Sequence, residues 1–499
     1  MKQPVRDSAI ALFLFLFVSA LYFATVTGVT SSNDGSHYAL VRALVERHSF
    51  EISPYMAFTE YQDYALRGDL RFSDRPPGTA LLAAPLYALG TVAPRPPVDI
   101  PSRHDAANPY LVYALLLPPL AGGGAITLFY LTLRQHFARS QYAALLVSLA
   151  LALGTTTWKY GSVLYSHAQA ALTVWLALYL TFRIESRRVP SWPPALLLGF
   201  VLGFAPLIEY TSVLFSAIIG FYLLLKLLPS LRSAWSDDEQ RSRWLATLIS
   251  LGIGAAVPIG FLLLYNTLNF GGPFEVSTFN ADTELWPQNA GLAADFATPL
   301  PVGLQGLLFY GSDNQGIFLL SPVTLIALAG LPAFFRHSRR GFALLMGLFV
   351  VYLLLFAKST TFNPLTNDGR YLTPFIGLLL VPLAFWVDEV YRPARGELRE
   401  LGLSLLLFGL LFLSIRNQAM HIALSWNYDL DLSRLRPMAI PPENVRYLLG
   451  TLFRNAGNLP VLWMVELPAL AFGWLAMRWR RMQKERLVAQ PLSPSHSRE

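Results

Sequence analysis

Two carboxylates and a guanidinium in one stretch of the chain raise the question of chemistry first. Asp34 stands in SSNDGSHYALVRALVERHSFEI, and Asp74-Arg75 stand in DYALRGDLRFSDRPPG. A carboxylate can accept a proton or bind a divalent ion. A guanidinium can hold a phosphate through two parallel hydrogen bonds. Pro76 and Pro77 follow directly, remove two backbone donors and enforce an extended path, so they can fix Asp74 and Arg75 in place. Each reading has a plainer rival. Asn33, Asp34 and Ser36 are all good helix N-caps. Asp74 and Arg75 could be an ion pair closing a turn.

Other polar residues stand alone in apolar surroundings. Arg370, in TNDGRYLTP, begins an apolar run, where it could reach lipid phosphates or line a phosphate site. Lys159 and Lys358 are weaker cases of the same kind, and Asp313 lies in YGSDNQG. His37 and His167 sit near helix ends, where a lone histidine is more often structural than a ligand. Glu209 and Glu466 fall within or beside apolar runs, where a carboxylate is costly and often functional; Glu209 also fits the wet tip of a hairpin.

The elements that position these residues follow from composition. Of 499 residues, 54% are hydrophobic and 14% charged, against about 25% charged in a soluble domain. Apolar blocks of membrane-spanning length exclude a soluble enzyme and a disordered chain. They also exclude an outer-membrane barrel, which would show alternating segments of ~10 residues. Twelve spans are predicted near 9–28, 109–133, 141–156, 168–184, 195–208, 211–228, 244–267, 315–334, 342–357, 371–387, 400–416 and 461–478. The pair 195–228 reads as a tight hairpin around Glu209 and Tyr210. Lys and Arg collect in alternate loops and in the tail 479–499, which puts both termini in the cytoplasm. The loops 29–108, 268–314, 358–370 and 417–460 then face outward. The net charge of +7 is thus a topology signal rather than a nucleic-acid footprint. The segment 78–92 is apolar but short, and reads as lying at the outer interface. Tyr38, Leu40, Val41, Leu44 and Val45 predict a helix along that interface, with Arg42, Glu46 and Arg47 opposite. There is no cysteine, so thiolate chemistry is excluded.

Several stretches resemble the GT-C superfamily of polyprenyl-phosphate-dependent glycosyltransferases, relatives of protein O-mannosyltransferases and lipid A aminoarabinose transferases. They are Ser32–Asp34 after an N-terminal anchor, FSDRPPGTALLAAPLY (72–87), WKYGSVLYSHAQAAL (158–172), LLYNTLNFGGPFE (263–275), LLFYGSDNQGIFLLSP (307–322) and DGRYLTP (368–374). Each is weak alone; their order along one polytopic chain is more specific. The resemblance implies an all-α, GT-C-like membrane domain over 1–499, with a lipid-linked sugar donor and an outward-facing site in the plasma (inner) membrane. It implies Asp34 as the base on an acceptor hydroxyl. It places Asp74 and Arg75 at the donor, with Arg75 on the lipid phosphate and Arg370 as a second phosphate contact. His37, Lys159, Lys358 and Asp313 stand as supporting candidates. A divalent cation at Asp34 and Asp74 is compatible but not required. The expected reaction is a single inverting displacement of polyprenyl phosphate by a lipid, glycan or protein acceptor. A lipid-linked oligosaccharide ligase or polymerase, and a polytopic transporter, are the alternatives. A transporter would be expected to place its polar residues at mid-membrane.

Overall fold

The computed structural model describes residues 3–100, 108–186, 191–233, 237–285, 295–310, 316–360, 369–391, 397–423 and 442–489. Asp313 lies outside the described residues. The chain is an all-α polytopic membrane protein. Seven described helices are long and apolar enough to cross a bilayer, and the pair Leu448–Ala456 and Leu459–Leu475, bent by 58°, makes an eighth. Shorter apolar helices cover Gly78–Val92, Gln141–Gly154, Trp192–Ile208 and Val323–His337. The helix His167–Glu185 fills the remaining predicted span. The predicted span 315–334 is not one helix. It is broken into Ile317–Leu320, Val323–Ala327, Leu328–Gly330 and Leu331–His337. Pro322 and Pro332 lack the N–H that a continuous helix needs there.

The helix Thr373–Val390 is buried along nearly its whole length. An element apolar on every side must be enclosed by protein or lipid, and here protein encloses it. Trp175 packs edge-on to Phe129 with ring centroids 4.7 Å apart, and both belong to the same core. The helix Asp238–Phe270 lies at the periphery and exposes Ile249, Ile253 and Val257, the surface expected of a lipid-facing helix. It packs closely against Trp192–Ile208 through small residues. A Cβ added at Gly254 would lie 2.8 Å from the Phe200 nitrogen, so only glycine permits this backbone approach.

The first long loop is a folded unit. The helix Ser32–Glu46 buries Asn33 to Val41 without a break. Glu46, on the face read as polar, accepts from Tyr55 at 2.8 Å and from Tyr87 at 2.5 Å and pairs with Arg42 at 2.8 Å. That face is therefore tied to the loop's interior. Beyond it the chain forms a two-stranded antiparallel ribbon, Tyr64–Arg67 with Leu70–Ser73, in the register Ala65 opposite Phe72. Gly68, at φ 58, begins its two-residue turn. The ribbon runs directly into Asp74, Arg75 and the two prolines, and the helix Gly78–Val92 follows. Gly78 abuts the end of Trp192–Ile208: an added Cβ would sit 2.9 Å from the Ile208 nitrogen. This approach sets the Arg75 turn beside the tip of the 192–233 hairpin.

Candidate active site

The hairpin of Trp192–Ile208 and Ser212–Ser233 turns at Glu209, Tyr210 and Thr211, as its sequence predicts. Between this tip, the Arg75 turn and the start of His167–Glu185 lies a cavity of about 350 Å³. One wall is polar and carries Asn33, Arg75, Ser166, His167, Glu209 and Tyr371. Another is apolar, with Val213, Val276, Phe279 and Phe296, of which Val213 and Phe279 are exposed. Asp295 also borders the space and accepts a hydrogen bond from the Ser359 hydroxyl at 2.7 Å.

Arg75 is held by two carboxylates. Its Nη2 is 3.0 Å from Asp63 Oδ1, and its Nε is 3.3 Å from Asp74 Oδ1. Burial disfavours its charge, but Asp74 and Asp63 outweigh that and hold it firmly protonated. Asp74 itself is buried. The Ser36 hydroxyl donates to it at 3.2 Å, and Ser277 and Thr278 donate to its backbone carbonyl at 2.9 and 3.2 Å. Burial pushes the Asp74 carboxyl up to about 7, with Arg75 opposing and Asp63 adding to the rise. The pair is thus a rigid anchor that presents one guanidinium edge to the cavity.

Asp34 occupies a different kind of position. Ser31 is the N-cap of the helix Ser32–Glu46, and Asp34 stands at the third helical position in a reciprocal capping box. Its Oδ1 accepts from the Ser31 N–H at 2.8 Å, the Ser31 hydroxyl at 2.8 Å and the Gly35 N–H at 3.1 Å. Its Oδ2 accepts from the Thr30 N–H at 2.9 Å. The side chain is fully buried and does not line the cavity. Burial raises its carboxyl to about 6 despite those donors. A general base must reach the proton it takes, and in this arrangement Asp34 reaches only its own helix terminus. Its link to the cavity is indirect. The Ser31 hydroxyl is 2.8 Å from the Tyr165 hydroxyl, and the Tyr165 ring lies 5.6 Å from the Arg370 guanidinium.

Arg370 sits between two aromatic faces, Tyr165 and Tyr371, the latter at 5.1 Å. Its Nη2 donates to the Tyr371 hydroxyl at 3.4 Å. The charges of both Arg75 and Arg370 act on Glu209. Glu209 accepts a hydrogen bond from the Ser166 hydroxyl, and its Oε1 lies 3.5 Å from His167 Nδ1. Burial raises its carboxyl above the ordinary glutamate value, with Ser166, Arg75 and Arg370 partly opposing. His167 is buried among Tyr160, Tyr165 and Tyr371.

The supporting candidates scatter. His37 is buried next to the Asp74–Arg75 anchor, and neither ring nitrogen has a hydrogen-bond partner in the described structure. Burial, then the nearby Arg75 charge, lowers its pKa to about 3, so it is neutral. Lys159 is buried away from the cavity, with Nζ 2.7 Å from His421 Nε2. Lys358 ends the helix Arg339–Lys358, and its carbonyl accepts from the Thr298 N–H at 3.1 Å. Among the described residues no three His, Asp or Glu side chains converge as metal ligands. Both oxygens of Asp34 accept hydrogen bonds and Oδ1 of Asp74 is shared by Ser36 and Arg75, so these two carboxylates do not form a ready donor set for a divalent ion. The sequence pointed to Glu209 and His167 as isolated polar residues. Asp63 and Asp295 carried no motif, and only the fold brings them here.

No protein-family model matches the chain, and no curated protein matches it. The fold is similar to ArnT from Cupriavidus metallidurans bound to undecaprenyl phosphate. The identity is 12% and the TM-score 0.49, over 91% of this chain and 76% of that one. It is also similar to the archaeal oligosaccharyltransferase AglB from Archaeoglobus fulgidus in complex with an inhibitory peptide and a dolichol-phosphate. There the identity is 13% and the TM-score 0.47, over 89% of this chain and 59% of that one. At these scores the likeness is one of fold, and function rests on the site itself.

Proposed function

We propose that the chain is an inverting glycosyltransferase that moves a monosaccharide from a polyprenyl-phosphate donor to an acceptor hydroxyl at the outer face of the plasma (inner) membrane. Its single GT-C-like domain spans 1–499, with both termini in the cytoplasm. One observation carries the reading: a guanidinium fixed by two carboxylates borders a cavity whose other wall is apolar and opens toward exposed side chains. A phosphate on an isoprenoid tail needs that combination. Arg75 would bind the phosphate, and Arg370, whose charge also reaches Glu209, would share in neutralising it. The isoprenoid would lie along Val213, Val276 and Phe279. An acceptor oxygen attacks the anomeric carbon, the carbon–oxygen bond to phosphate breaks, and polyprenyl phosphate departs with the electron pair. Arg75 and Arg370 neutralise the charge that grows on the leaving group. Losing one such contact costs about 10²–10³ in rate.

The test uses purified protein in liposomes, a panel of labelled polyprenyl-phosphate sugars and a membrane extract as acceptor. Wild type is compared with Arg75→Ala at matched amounts of folded protein. Transfer by wild type that falls at least about 100-fold in the variant supports the reading. Equal transfer by both removes Arg75 from the site. No transfer across the panel sinks the monophosphate donor and turns attention to diphosphate-linked donors.

A further inference from the structure

Among the described residues, four carboxylates stand close to the Arg75 anchor or to the cavity besides Glu209, and each is engaged elsewhere. Asp34 spends both oxygens on the helix terminus. Asp63 and Asp74 flank Arg75 and are buried away from the cavity. Asp295 borders the space, but Ser359 holds it on the side formed by the segment after Arg339–Lys358. Glu209 differs. It lies in the cavity wall with Arg75, and the Ser166 hydroxyl fixes one oxygen, with His167 Nδ1 3.5 Å from that same oxygen. Among the described residues, the hydrogen bond that Glu209 accepts falls on that oxygen, and the second oxygen is left to the cavity.

We propose that Glu209 accepts the acceptor's proton, oriented by Ser166 and His167, and that Asp34 is a positioning residue which acts through Ser31 and Tyr165. This deepens the glycosyltransferase reading and rests on it. In the step, the acceptor O–H proton passes to the Glu209 carboxylate as the new bond to the anomeric carbon forms. The carbon–phosphate-oxygen bond breaks with its electron pair on the polyprenyl phosphate, and the proton leaves Glu209 to water afterwards. The site supplies the geometry on both sides. Arg75 marks where the leaving phosphate sits, and Glu209 is near enough to feel the charges of both Arg75 and Arg370. Burial raises the Glu209 carboxyl above its ordinary value, which strengthens it as a proton acceptor. The groups that face it are His167, Arg75, Arg370, Tyr371, Tyr210 and Tyr352.

The experiment measures kcat, donor KM and the pH profile for the best donor of the polyprenyl-phosphate panel. It compares wild type, Glu209→Gln, Asp34→Asn and Asp295→Asn. Glu209→Gln is expected to lose about 10²–10⁴ in kcat with donor KM changed by no more than about threefold. The fall in rate toward acid pH disappears with it. Asp34→Asn keeps that acid limb, whatever it loses in rate. Glu209→Ala regains part of its rate with added formate, a small anion that can take the proton. Where Glu209→Gln fails to accumulate, Glu209→Asp replaces it, with the acid limb retained and kcat reduced. A wild-type acid limb in Glu209→Gln, or its loss in Asp295→Asn or Asp34→Asn instead, overturns the assignment. Wild type inactive on every donor overturns the glycosyltransferase reading itself, so the two failures are distinguishable.

Discussion

Asp34, fully buried, and Glu209, half-buried in the cavity wall, are carboxylates at the ends of helices near one another's site, yet their oxygens are used in opposite ways. Asp34 begins the helix Ser32–Glu46 and receives four hydrogen bonds from its own neighbourhood. Glu209 ends the helix Trp192–Ile208, where backbone carbonyls rather than N–H groups are exposed, so no helix terminus claims its oxygens. It takes one hydroxyl from the adjacent helix and borders open space. A carboxylate at a helix start is drawn into structure, while one at a helix end stays available. Which residue is chemical depends on the free lone pairs, and motif position alone does not report those.

The comparison predicts opposite signatures in stability. Asp34→Ala leaves the Thr30 and Ser31 N–H groups without their acceptor, while the Gly35 N–H keeps the Ser31 carbonyl. Each buried donor left unpaired costs about 1–3 kcal/mol, so a large fall in Tm is expected, measured by nanoDSF in detergent. Glu209→Gln keeps an acceptor for Ser166 and should move Tm little. The reverse pattern, with Asp34→Ala stable and inactive, breaks the comparison and returns the base to Asp34.

Gly78→Ala tests what brings the two regions together. Its Cβ would meet the backbone at Leu207 and Ile208. Overpacking of this kind costs typically about 1–3 kcal/mol. Because Gly78 seats the Arg75 turn against the Glu209 tip, the variant should also raise donor KM. An unchanged KM at lower Tm would mean that the turn is held by the Asp63 and Ser277 contacts alone.

Much of the fold was legible and part of the site was not, for identifiable reasons. The hairpin at 209–211 followed from two apolar blocks around two polar residues. The broken span at 315–334 was hidden because Pro322 and Pro332 sit in a run whose hydropathy reads as continuous. The ribbon at 64–73 carried a signal, Gly68-Asp69 between two short alternating strands, but its arginines and aspartates read as a charge cluster. Asp34 drew attention by type and motif. Its role as the third residue of a capping box needed only Ser31 three positions earlier, a spacing present in the sequence. The convergence of Arg75, Arg370 and Glu209 was not readable from one chain, because it joins three loops separated by more than a hundred residues each.

The pH dependence of stability carries the same contrast in a smaller effect. Asp34 and Asp74 both have folded pKa values above their ordinary ones, about 6 and about 7 against 3.8. The folded protein therefore binds protons more tightly than the unfolded chain between those values. Their contribution is fully present below about pH 4 and is lost as pH rises through 6 and 7. Asp74→Asn removes one of these groups, so its Tm should fall less than that of wild type between pH 4.5 and 7.5. A parallel fall in both proteins would mean that Arg75 holds Asp74 ionised across the range, and that the anchor is a full ion pair.

The smallest expected effect isolates the link from Asp34 to the cavity. Tyr165→Phe removes one hydroxyl and the 2.8 Å bond to Ser31 but leaves the aromatic face beside Arg370. One hydrogen bond is worth about 1 kcal/mol net, so Tm should drop only slightly. If Asp34 acts on the site through Ser31 and Tyr165, turnover falls by about the factor that 1 kcal/mol represents, roughly fivefold, and the acid limb stays in place. Adding Asp34→Asn to Tyr165→Phe should then cost less than the sum of the two single losses, because both remove the same connection. Strict additivity in a double-mutant cycle would separate Asp34 from the cavity altogether, leaving it as the cap of its helix and nothing more.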